Sequence, residues 1–154
     1  VSAVKGYLIR RRDFLWGRQL RYGEVGNIKL LRFVRKGSGK WKRQVHEYFS
    51  LIGKVGELRG NLSHYPHQTL TDFLDDINFY STLHAKANLS EHKSSTIIKI
   101  VLFPTCKFLY NWILKLGFLD GMRGFALALI MSFHSFLAWG KLWMIQKKHE
   151  VLGD

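Results

Sequence analysis

Charge divides this chain into two unlike halves, and that division limits what it can fold into. Residues 1–60 carry 15 Lys and Arg against Asp13, Glu24, Glu47 and Glu57, a net of +11; residues 61–154 carry nine against seven acids, a net of +2. The first half therefore needs a large solvent-facing surface, and the second can bury or present apolar faces. At 154 residues and 47% hydrophobic, the chain suits one ordered domain of ordinary size rather than a disordered tail. A lone cysteine, Cys106, excludes an internal disulfide framework and a paired-cysteine zinc cluster. Its apolar neighbours suggest a packed thiol rather than a reactive one.

The first half reads as strands and turns. Tyr7-Leu8-Ile9 leads into Arg10-Arg11-Arg12, and Lys29 to Arg35 partly alternates basic and apolar residues, as a strand with one wet face does. Lys36-Gly37-Ser38-Gly39-Lys40 is a turn, and Val45–Phe49 and Gly53–Leu58 suit two further short strands. The second half reads as three amphipathic or apolar helices. Thr69 with Asp72 makes a capping box ahead of a helix to about Leu89. A second runs from about Ser95 to Leu116, with Pro104 expected to kink or break it and Lys99, Lys107 and Lys115 fanned over one side. Gly117 is the expected stop, Asp120-Gly121 a turn, and a third helix spans about Met122 to Gln146.

The basic half attracts phosphate of some kind, or is simply a solvated face. Phe125 to Trp139 has no Lys, Arg, Asp or Glu, but its 15 residues fall short of the roughly 20 that a spanning helix needs. With Trp112, Trp139 and Trp143 near lysines, the preferred reading is a helix at the membrane surface, ahead of a soluble core helix. No nucleic-acid motif accompanies the charge, and nucleic acid is not an expected partner.

Three groups of residues can carry chemistry. His46-Glu47 follows the basic segment Lys40 to Arg43 and offers a general base, although adjacent strand residues face opposite ways. His64-Tyr65-Pro66-His67 reads as a turn, in which His64 suits a capping or hydrogen-bonding role better than a metal. Arg18, Arg21, Arg32 and Arg35 suit a phosphate or pyrophosphate, or line exposed strand ends. No Walker loop, dinucleotide glycine turn or nucleophile elbow is present.

Taken in order, Arg11-Arg12-Asp13-Phe14-Leu15-Trp16-Gly17-Arg18, Lys29-Leu30-Leu31-Arg32-Phe33, Gly37-Ser38-Gly39-Lys40-Trp41, Val45-His46-Glu47, His64-Tyr65-Pro66-His67 and Gly117-Phe118-Leu119-Asp120-Gly121 are similar to one family. They resemble the C-terminal part of bacterial family 2 glycosyltransferases, in the branch that includes lipopolysaccharide-core glucosyltransferases. The resemblance runs from about Tyr7 to Trp143. It implies an α/β, Rossmann-like GT-A fold, present here only in part. Residues 1–66 would be the acceptor side of the catalytic domain, and 67–154 a helical extension at the membrane surface. The family's Asp-x-Asp motif for metal and nucleotide-sugar diphosphate does not occur here; Asp75-Asp76 is adjacent and helical. Together with the initial Val1, this predicts a piece of a longer enzyme that binds nucleotide sugar poorly alone.

The resemblance further implies an inverting transferase with Glu47 as base and His46 orienting the acceptor or diphosphate. Arg21, Arg32 and Trp41 would contact substrate, with Trp41 stacking under a sugar, and His64 would approach the metal or leaving diphosphate. The full-length enzyme would need a divalent ion, Mg or Mn. Its partners would be a nucleotide-sugar donor, a glycan or lipid-linked acceptor and anionic lipid. Its place would be the inner face of the cell membrane, reached from the cytoplasm, and its product cell-surface polysaccharide or lipopolysaccharide. Glu24-Val25-Gly26-Asn27 departs from the Trp-Tyr-Pro-Asp-like stretch usual in relatives. The competing reading is a basic membrane-binding module without catalysis.

Overall fold

A computed structural model describes residues 3–42 and 48–152. The Val45-His46-Glu47 motif lies outside the described residues. Strand β1 (Val4–Leu15) is the centre of a mixed sheet. It pairs antiparallel with β3 (Lys29–Val34) on one side and parallel with β6 (Lys54–His64) on the other. The two-residue β2 (Arg18–Gln19) folds back on the end of β1, and β4 (Gly39–Lys42) and β5 (Tyr48–Leu51) form a separate antiparallel pair.

Between β1 and β2 the chain reverses through Trp16 and Gly17, at φ 47° and 75°. Two positive φ values in a two-residue loop make a type I′ turn, whose twist matches the strands it joins. Trp16 is an unusual occupant of the left-handed region. Arg123 holds it there, donating to the Trp16 carbonyl from Nε at 3.1 Å and from Nη2 at 3.0 Å.

Three helices follow: α1 (Leu70–Ser90), α2 (Ile97–Leu109) and α3 (Gly121–Leu152). The expected capping box opens α1, with Thr69 Oγ1 accepting from Asp72 N at 3.1 Å and Asp72 returning the bond to Thr69 N. Both α1 and α2 pack along α3. Lys141 Nζ fastens α1 to α3, lying 2.6 Å from Asn78 O and 2.8 Å from each of Asn78 Oδ1, Ser81 Oγ and Thr82 Oγ1.

Several helical expectations are corrected. Pro104 does not interrupt α2. It is the buried residue of that helix, and its carbonyl accepts from Ser132 Oγ of α3 at 2.7 Å. Beyond Leu109 the helix widens into a π turn over Tyr110–Leu114. Leu116 rather than Gly117 takes the left-handed position, at φ 55°. Gly117 is needed for closeness instead: a Cβ there would lie 2.6 Å from Asn111 O. The lysines do not form one free fan. Lys99 lies over the Trp139 ring and Lys115 over Tyr110, while Lys107 pairs with Glu24 at 3.2 Å. Cys106 is exposed rather than packed. The uncharged stretch Phe125–Trp139 lies inside a 32-residue helix. By length and composition alone, Ile97–Leu114 and Gly117–Lys148 are each long and apolar enough to cross a membrane.

The buried core joins both halves of the sequence. Leu15 and Leu20, from the end of β1 and the segment after β2, meet Phe73 and Ile77 of α1 and Leu127 and Ile130 of α3. Phe73, 1% exposed, sits at the centre. Truncating it leaves a cavity that strands and helices cannot both fill, so Phe73→Ala is expected to destabilise the fold by about 3–5 kcal/mol. Denaturant unfolding followed by circular dichroism measures this directly.

Candidate functional site

Leu8, in the middle of β1, lines a cleft that shares Phe73 and Ile77 with this core. That cleft, about 710 Å³, opens between β3, the β4–β5 pair and α1. The volume falls in the range typical of small-molecule sites. Leu30, Leu31 and Arg32 form one side, Trp41, Tyr48 and Phe49 a second, and His67, Phe73, Asp76 and Tyr80 the third. Trp41 meets Phe49 edge to face at 5.4 Å and is itself 58% exposed, so its ring is available to a ligand. Apolar ring faces together with Arg32 and Asp76 suit a ligand with both apolar and polar groups.

His67 closes one end. Its ring lies parallel to Phe73 with centroids 4.1 Å apart, and Nδ1 is 3.0 Å from Asp76 Oδ2. Burial lowers the His67 pKa below 6.5, and the adjacent Asp76 only partly opposes this. The folded chain thus resists a proton that the unfolded chain accepts near pH 6.5. Stability from this residue is present above that pH and declines as pH falls toward the folded-state pKa. His67→Asn is the suitable control, because asparagine tolerates the left-handed backbone at φ 47°. Between pH 7.5 and 5.5, wild type is expected to lose more Tm than the variant in parallel melts.

Beside the cleft, at the C-terminal ends of the parallel strands β1 and β6, lies a second arrangement. Asp13 and His64 are register partners across the two strands. Asp13, 2% exposed, contacts His64 Nδ1 at 2.6 Å through Oδ1 and accepts from Arg11 Nε at 2.8 Å through Oδ2. His64 is therefore a strand residue with a carboxylate partner, not part of a turn. Phe14 and Tyr65 stack alongside with centroids 4.9 Å apart.

Of the residues predicted from sequence, the cleft brings Arg32 and Trp41 together, and His64 sits at the adjacent strand ends. Arg21 does not line the cleft. It is exposed, and its backbone N–H, with that of Tyr22, donates to Asp120 Oδ2 at 2.9 and 2.8 Å. This gives the Gly117-to-Gly121 motif a structural role, since Asp120 ties the turn before α3 to the chain after β2. His46 and Glu47 lie outside the described residues. Sequence reasoning missed Asp13, Tyr48, Asp76 and Tyr80. Asp13 had one usable signal: it lies two residues from apolar Leu15, so strand alternation puts both on one face.

Among the described residues, no group of three His, Cys, Asp or Glu side chains converges for a metal ion. His64 fits as one ligand, because an imidazole held at Nδ1 by a carboxylate presents Nε2 in the manner of metal-bound histidines.

Comparison with curated proteins finds 27% identity over 143 residues to the lipopolysaccharide core biosynthesis glycosyltransferase LpsC of Rhizobium meliloti (strain 1021). The match covers 91% of this chain and 53% of that protein, so the chain spans about half the length of the relative it matches. No family model and no solved structure matches the chain. The similarity supports a relationship to glycosyltransferases.

Proposed function

We propose that this chain is the acceptor-side part of a longer glycosyltransferase, which moves a sugar from a nucleotide-sugar donor to a glycan or lipid-linked acceptor at the membrane. The observation that carries this reading is the cleft lined together by Trp41, Tyr48, Tyr80, Arg32 and Asp76. The similarity to a lipopolysaccharide core enzyme supports the same reading. Residues 1–66 belong to a GT-A, Rossmann-like catalytic domain of family 2 type, and 67–154 form its helical extension. The enzyme works from the cytoplasm on the inner face of the cell membrane, in cell-surface polysaccharide or lipopolysaccharide synthesis.

In this mechanism the acceptor lies against Trp41, with Arg32 fixing its polar groups. Glu47 takes the proton of the acceptor hydroxyl as that oxygen attacks the anomeric carbon. The bond to the diphosphate breaks with its electron pair leaving on the diphosphate, and attack from the opposite face inverts the anomeric centre. His46 orients the acceptor or the diphosphate, and His64 faces the leaving group. A divalent ion, Mg or Mn, when bound, would neutralise charge on the diphosphate, with His64 as this chain's ligand.

Trp41→Ala in the full-length protein tests the cleft as an acceptor site. Loss of stacking is expected to raise the acceptor KM about tenfold, equivalent to about 1.4 kcal/mol, with the donor KM unchanged. An unchanged acceptor KM would move the acceptor elsewhere.

A further inference from the structure

We propose that Asp13 is a positioning residue that fixes the ring orientation and tautomer of His64, so that the Nε2 lone pair faces the reacting diphosphate side of the site. The inference deepens the transferase reading and rests on it for the identity of what His64 meets.

Asp13 is set by strand register, lying opposite His64 across the parallel β1–β6 pair. A carboxylate 2% exposed needs compensation, and Arg11 supplies it from two residues away on the same strand face, with Nε 2.8 Å from Oδ2. With Arg11 donating to one oxygen, the carboxylate acts as acceptor, and the 2.6 Å contact to Nδ1 requires the imidazole to carry its proton there. A neutral ring protonated at Nδ1 has its lone pair on Nε2, the atom pointing away from Asp13. The His64 side chain is 43% exposed, so that lone pair is open to a ligand. A buried ion pair is by itself weak evidence for stability, and orienting His64 gives this one a role.

The first measurement needs no variant. Long-range proton–nitrogen NMR of the 154-residue chain at pH 8, with His64 assigned through His64→Gln, reports which ring nitrogen carries hydrogen. Protonation at Nδ1 is expected; a ring protonated at Nε2 overturns the proposal. The second uses the full-length protein. Asp13→Asn is expected to lower kcat about 10- to 100-fold, the range for outer partners of ligating histidines. In that variant the NMR signature shifts to mixed tautomers. The double variant Asp13→Asn, His64→Ala should lose no more than His64→Ala alone, because Asp13 acts only through His64. Losses that multiply overturn the proposal, as does Asp13→Asn with wild-type kcat and tautomer. Absence of transfer by the wild type with every donor removes the transferase reading, and the tautomer still decides the role of Asp13.

Discussion

Glu47→Gln in the full-length protein is expected to lower sugar transfer about 10²–10⁴-fold, the usual contribution of a positioned general base. Glutamine keeps the size of the side chain but cannot take a proton, so the acceptor hydroxyl must attack without losing its hydrogen. Donor and acceptor KM should change little, because the missing interaction forms in the transition state. Trp41 and Tyr48, on either side of the intervening segment, both line the cleft. Initial rates of nucleotide release at saturating acceptor measure the loss. Turnover equal to wild type would keep the cleft and move the base to another carboxylate, for which Asp76 is the described candidate.

The second large effect concerns α2. Ile97 and Ile98 are each 72% exposed, Val101 61% and Leu102 50%, along a helix that buries only Pro104 among its residues. On the proposed membrane-surface reading, this contiguous exposed apolar surface would meet lipid, and the +11 of residues 1–60 would favour anionic headgroups. Removing two such side chains from a lipid interface costs about 3 kcal/mol or more, over 100-fold in partitioning. Ile98→Asp with Leu102→Asp is therefore expected to abolish sedimentation with phosphatidylglycerol vesicles and leave the melting curve near wild type. Added salt should weaken wild-type binding only in part, since it screens the charges and not the apolar contact. Vesicle binding by the double variant equal to wild type would exclude α2 as the contact.

What the sequence revealed depended on distance along the chain. The Thr69–Asp72 capping box spans three residues, so it could be read and was found. The apolar spacing from Leu70 to Leu83 likewise located α1. Pro104 reads locally as a break, whereas in the fold it is buried within α2 and bonded to Ser132, 28 residues away on α3. Asp13 and His64, 51 residues apart, become neighbours only through a parallel pairing that no local pattern specifies. Arg21 and Arg32 look alike as basic residues near strands. Arg32 lines the cleft, whereas the backbone of Arg21 is used to hold Asp120. Strand alternation could have brought Asp13 forward, because it shares a face with Leu15. The charge run around it instead drew attention to the arginines.

On the proposed reading the full-length protein transfers sugar from a nucleotide donor, with this chain supplying the acceptor side. The most direct test is nucleotide release by that protein, with its membranes, across a panel of nucleotide sugars. Acceptor-dependent release from one donor, reduced as expected in Glu47→Gln, is the predicted result. No release with any donor, from protein that is folded and membrane-bound, would contradict the claim and leave a basic membrane-binding module as the better account.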